Sequence, residues 1–75
     1  MKYFYKTDVG TFSIRPDPEL TGGYRLYIDD EYLGHYDNPA LASDDVYLCA
    51  TGWPAWDRRE VVEHPQDLDE WMAVR

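Results

Sequence analysis

The sequence predicts an α+β fold: an antiparallel four-stranded meander with one main helix packed on one face and a short C-terminal helix. Three observations predict it. The first half alternates apolar and polar residues with period two and is punctuated by turn residues. Residues 38–52 carry the start and stop signals of one helix. Aromatic residues make up 16% of only 75 residues, which excludes a disordered chain and leaves room for a single domain spanning residues 1–75.

KYFYKT (2–7) and TFSIR (11–15) alternate on either side of Asp8-Val9-Gly10, a turn whose glycine tolerates a left-handed backbone. Pro16-Asp17-Pro18 stops the second strand, and Thr21-Gly22-Gly23 leads into YRLYI (24–28). Asp29-Asp30-Glu31 is a polar turn before a fourth strand, YLGHY (32–36). Strand alternation assigns Tyr3, Tyr5, Phe12, Ile14, Tyr24, Leu26, Ile28 and Leu33 to the core face. His35 falls on the same inward parity, as a hydrogen-bonded residue at the core edge. The opposite face receives Lys2, Phe4, Lys6, Thr11, Ser13, Arg15, Arg25, Tyr27, Tyr32 and Tyr36. A register slip of one residue would exchange the two sets.

Asn38 is a good N-cap, Pro39 suits the first helical position, and Gly52 suits a left-handed C-terminal cap, so the helix is expected over 39–51. Ala42, Val46, Cys49 and Ala50 form its apolar stripe. GWPAWDRR (52–59) reads as irregular, and EVVEH (60–64) admits a fifth, short edge strand over 60–63. Pro65 opens a short helix over 65–72, with acidic residues in its first turn that favour the helix dipole.

The 15 acidic and 7 basic side chains give a net charge of −8, and it is unevenly spread. Residues 1–28 hold four basic against three acidic side chains, while residues 29–75 hold three against twelve. Such a chain is a poor coat for duplex DNA. No stretch approaches the ~18 apolar residues of a membrane span, and no leader-like apolar core follows Lys2 and Lys6, so a cytoplasmic protein without a membrane partner is expected. A single cysteine makes no internal disulfide.

Leu33-Gly34-His35-Tyr36-Asp37-Asn38-Pro39, followed by Ala42, Asp45-Val46, Thr51-Gly52, Trp56-Asp57 and Pro65-x-x-Leu68-x-x-Trp71, resembles a family of small bacterial proteins of unknown function. The resemblance runs from about Thr11 to Trp71. It implies a bacterial origin and carries over no activity, cofactor, partner or functional residue.

Chemistry-bearing motifs are sparse. His35, Cys49 and His64 are the only soft metal ligands, and their spacing matches no zinc pattern, so neither metal nor cofactor is expected. A nucleophile such as Cys49 or Ser13 would need a histidine and an orienting acid beside it, and a cysteine on a helix stripe lacks the electropositive setting that activates a thiol. No catalytic residue is assigned, and the protein is not expected to be an enzyme; a small hydrolase is the third reading.

The expected function is that of a non-enzymatic protein-interaction module, with a protein partner or a second copy of the chain meeting Phe4, Tyr27, Tyr32 and Tyr36, extended by Trp53 and Trp56. The competing role for Trp53 and Trp56 is a lid over the core, completed by Trp71. The alternative function is binding of single-stranded nucleic acid or another anion by Lys2, Lys6, Arg15 and Arg25 interleaved with the rings. Against it stand the repulsive net charge and the absence of an RNA-recognition sequence motif.

Overall fold

Turn chemistry and alternation build the sheet strand by strand. The structure is a computed structural model and describes residues 1–19, 22–58 and 68–75. Five strands, β1 (Lys2–Thr7), β2 (Gly10–Pro16), β3 (Tyr24–Ile28), β4 (Glu31–Tyr36) and β5 (Met72–Val74), form one sheet in the order β4-β3-β2-β1-β5. Every neighbouring pair is antiparallel. Two helices, α1 (Pro39–Tyr47) and α2 (Pro54–Asp57), and a 3-10 turn at Leu68–Glu70 complete the α+β meander.

The β1–β2 and β3–β4 turns are locked together. Asp29 adopts φ 50 and accepts the Thr11 N–H on Oδ1 at 3.1 Å, while its own N–H donates to the Thr11 carbonyl at 2.9 Å. Gly10, at φ 139, sits so close that an added Cβ would lie 2.8 Å from Asp29 Oδ2 and 3.0 Å from the Ile28 side chain. Glycine is therefore required there on two counts, backbone angle and space.

Strand β4 contains the irregularity that alternation alone missed. Tyr27 pairs with Tyr32, but Leu26 pairs with Gly34, so Leu33 is an extra residue in the ladder. Leu33 still packs against the core, and parity is reversed beyond it. Tyr36, expected on the open face, pairs with Tyr24 and packs on the core side. His35, expected inward, pairs with Arg25 and is exposed on the open face.

Helix α1 starts as expected, with Asn38 Oδ1 accepting the Leu41 N–H at 3.0 Å and Pro39 in the first turn. It ends at Tyr47, four residues before the expected end at 51. The Ala50 N–H reaches the Asp45 carbonyl at 2.9 Å and the Cys49 N–H reaches Val46 at 3.2 Å, the paired bonds of a Schellman cap. Cys49, at φ 56, takes the left-handed position expected of Gly52. Gly52, also left-handed at φ 83, serves the following turn. Of the expected stripe, Ala42 and Val46 are buried, Cys49 is half-buried beyond the helix and Ala50 is exposed.

The C-terminal segment departs further. Instead of a helix continuing to residue 72, the helical part ends at Glu70, Trp71 drops into the core, and Met72–Val74 extend along β1 as β5. Pairing with β1 satisfies backbone groups that β1 would otherwise present as an open edge. The strand expected over 60–63 and residues 65–67 of the expected helix lie outside the described residues.

The core fills one face only. Phe12, Ile14, Leu26 and Ile28 of the central strands meet Ala42 and Val46 of α1, with Trp56 and Trp71 closing the side nearest β1. Trp56 is 1% exposed, donates its indole N–H to the Val46 carbonyl at 2.9 Å, and sets its ring edge-on to Phe12 at 5.0 Å and Tyr5 at 6.0 Å. Asp57 fixes the approach to it. Its Oδ1 accepts the Thr51 N–H and hydroxyl at 3.0 and 2.8 Å, and Oδ2 accepts the Gly52 N–H at 2.8 Å. Trp53 is half-buried against the same cluster. The tryptophans of the 52–59 segment thus form a lid.

Trp56→Ala removes the largest fully buried side chain and leaves the Val46 carbonyl without its indole donor. Urea unfolding of this variant is expected to show a loss of ~3–5 kcal/mol. A loss no larger than the ~0.5 kcal/mol of a surface substitution would contradict the core assignment.

Candidate functional site

Residues directly opposite one another in an antiparallel sheet share a face, so the register converts into rows. On the face away from α1, one row crosses all five strands: Tyr32, Tyr27, Ser13, Phe4 and Met72. The next row places His35 beside Arg25 and Arg25 beside Arg15. One step beyond the Tyr3–Ile14 pair, Lys2 and its partner Val74 continue it. On the other side of the ring row lie Lys6 and Thr11, a pair, and the Asp29-Asp30 turn.

The two central arginines lie over tyrosine rings. Arg15 places its guanidinium 4.5 Å from the Tyr27 ring centre, donates from Nε to Ser13 Oγ at 3.0 Å, and approaches the Asp29 carbonyl at 3.5 Å. Arg25 lies 5.7 Å from the Tyr32 ring centre, with Nε 3.2 Å from Asp17 Oδ2 and Nη2 3.5 Å from Glu19 Oε2. His35 Nε2 is 3.5 Å from the same Asp17 oxygen. Arg25 is therefore paired with carboxylates. Among the described residues no carboxylate pairs with Arg15, Lys2 or Lys6. These contacts also explain why Ser13, on the nominally open face, is 1% exposed: it lies beneath the Arg15 side chain.

Asp17 anchors the lower end of this face. The Glu19 N–H on its Oδ1 at 2.8 Å holds the carboxyl below its ordinary range; burial works against that shift, and Arg25 and His35 add to it. Towards the other end an open depression of about 330 Å³ is lined by Phe4, Thr11, Ser13, Arg15, Asp29 and Asp30. It offers a cation, two hydroxyls, a ring and two carboxylates, with no nucleophile–histidine pair among them.

Of the expected interaction residues, Phe4, Tyr27 and Tyr32 share the open face, and Tyr32 is 55% exposed. The Tyr27 and Tyr32 rings lie 5.8 Å apart. Tyr36, Trp53 and Trp56 are not on this face. Tyr36 reaches the helix instead and donates its hydroxyl to Asp45 Oδ2 at 2.7 Å, and burial followed by that carboxylate raises its pKa. Lys2, Lys6, Arg15 and Arg25 do share the face.

Met72, 68% exposed, Val74 and His35 belong to it as well and were missed. The apolar run Met-Ala-Val and the isolated glycine in β4, a bulge signal, could have found them. Cys49 packs against the core on the helix side while His35 stands on the open face, so the sheet separates these two. His64 lies outside the described residues. Among the described residues no three His, Cys, Asp or Glu side chains are grouped to hold a metal ion. No described helix is long and apolar enough to cross a membrane.

Because the folded state lowers the Asp17 pKa, the ionised form stabilises the fold. That contribution is fully present above the ordinary carboxylate value and is lost as pH falls through the lower, folded value. The stability difference between wild type and Asp17→Asn, measured by denaturant unfolding, is therefore expected to shrink below pH ~4. A difference that stays constant far into the acid range would contradict the assignment. Compared with known protein families, curated proteins and solved structures, the chain matches none of them.

Proposed function

We propose that this chain is a non-enzymatic protein-interaction module that engages a protein partner through its open sheet face. The observation that carries the reading is the row of Tyr32, Tyr27, Ser13, Phe4 and Met72, one residue from each of the five strands on the face opposite α1, rimmed by polar groups. Aromatic and methionine side chains at the centre with charges around them are the composition of an interface core and rim. The chain places its buried apolar side chains on the other face, so these rings are not needed to close the core.

The same face supports a second reading, binding of single-stranded nucleic acid or another anion, because the cationic row of Arg25, Arg15 and Lys2 runs beside the rings. Two features weigh against it. Each tyrosine ring already carries a guanidinium, so a base would have to compete for that surface. Arg25 is neutralised by Asp17 and Glu19, and the whole chain is at −8. Among the described residues Cys49 and His35 lie on opposite sides of the sheet, so that pair does not support the hydrolase reading.

A photo-crosslinking amino acid placed at Tyr32, and in a control at Leu48 on the exposed helix side, tests the choice. Irradiation of cells producing each variant is expected to give a polypeptide adduct from position 32 and none from 48. A nuclease-sensitive adduct at 32, or a polypeptide adduct from 48 alone, would contradict it.

A further inference from the structure

We infer that the protein partner presents an acidic segment, an apolar side chain flanked on both sides by carboxylates, and that this segment docks at the β1–β5 end of the open face between Lys2 and Lys6. The inference rests on the reading that the open face meets a protein, and it names the chemistry of that contact.

The cations of the face are not equivalent. Arg25 is answered by Asp17 and Glu19, His35 approaches the same Asp17 oxygen, and Arg15 lies beside the chain's own Asp29-Asp30 turn. Lys2 and Lys6 are different. Both are exposed, and among the described residues neither side chain has an ion pair, a hydrogen bond or a ring contact.

The strand sets their spacing. Lys2, Phe4 and Lys6 alternate along β1, so all three lie on the open face with the ring midway between the two cations. At a rise of ~3.3 Å per residue the two lysine Cα atoms are about 13 Å apart. β5 adds apolar surface alongside: Met72 stands opposite Phe4 and Val74 opposite Lys2, exposed at 68% and 42%. The result is an aliphatic and aromatic centre with a free cation at either end.

An extended segment has the same repeat as β1. With an apolar residue over Phe4 and Met72, its side chains two positions away on either side reach Lys2 and Lys6, and carboxylates there complete both ion pairs. The net charge does not oppose this. A chain at −8 repels an acidic segment at long range, but at physiological salt the Debye length of about 8 Å screens that field and leaves the two lysines to decide the contact. A basic segment would set like charges together at both ends. Single-stranded nucleic acid gains less at this end of the face, because Met72 and Val74 are aliphatic and give a base no ring to stack on.

Sequencing the contact tests this directly. A photo-crosslinking amino acid is placed at Met72, and the polypeptide joined to it in cells is digested and sequenced around the point of attachment. The expected adduct is a segment with Asp or Glu on both sides of the attached residue. Its yield is expected to fall at least ~10-fold in Lys2→Glu/Lys6→Glu and to stay within ~3-fold in Lys2→Arg/Lys6→Arg, which keeps both charges. Both purified variants are expected to unfold at the wild-type urea concentration, since neither lysine side chain holds the fold, and the adduct's sequence decides even without them. A segment without acids on both sides, a segment of a second copy of this chain, a nuclease-sensitive adduct, or a yield indifferent to the glutamates in a folded variant overturns the inference. If position 32 captures a polypeptide while position 72 captures none, the acidic segment fails and the module reading stands. If neither position captures a polypeptide, both fail.

Discussion

A five-stranded sheet has two faces, and among the described residues the one helix longer than a single turn, α1, has nine residues with which to cover them. That shortage governs the rest of the structure. The helix contributes only Ala42 and Val46 as apolar core residues, so the remaining volume on its side is filled by two indoles from the C-terminal half. Trp56 spans the gap, bonded to the carbonyl of Val46 and set edge-on against Phe12, and Trp71 comes in from the far edge against Tyr5 at 5.5 Å. With both of these large groups committed to one face, the rings of Phe4, Tyr27 and Tyr32 on the other stand apart from the buried core.

The electrostatics follow the same division. On the helix side a carboxylate works on the fold: Asp57 clamps residues 51 and 52, and Asp45 takes the hydroxyl of Tyr36. On the open side the cations lie over aromatic rings, an arrangement that screens the rings from water while keeping the charge at the surface. Arg25 and Arg15 occupy neighbouring positions in one row, yet among the described residues only Arg25 is answered by carboxylates. This asymmetry makes the face a surface with a defined chemical demand rather than a generic basic patch. The net charge of −8 describes the whole chain and says little about this face.

Much of this was legible in the sequence, for a physical reason in each case. Period-two alternation bounded by Asp-Val-Gly, Pro-Asp-Pro and Asp-Asp-Glu located four strands because the side chains of a half-buried strand must alternate. Asn38 and Pro39 located the helix start because orphan N–H groups need a cap. What failed was decided by tertiary contacts. One extra residue at Leu33 reversed parity and exchanged His35 with Tyr36 between faces. The helix end moved from Gly52 to Cys49 because a non-glycine residue accepted the left-handed conformation there. Acids after Pro65 suggested a longer helix, but the open edge of β1 drew Met72–Val74 into the sheet. Alternation placed Phe4, Tyr27 and Tyr32 correctly because β1, β3 and the start of β4 precede the bulge.

On the proposed function, the open face and not the outer side of the helix is the surface that a protein partner covers. Hydroxyl-radical footprinting of the chain, purified and dilute and then inside the cells that produce it, measures that side chain by side chain. Oxidation of Phe4, Tyr27, Tyr32 and Met72 is expected to fall together inside the cells, while Leu41 and Leu48, exposed on the helix side, keep their reactivity. Protection of Leu41 and Leu48 with the ring row still reactive, or no protection of the ring row inside the cells, would contradict it.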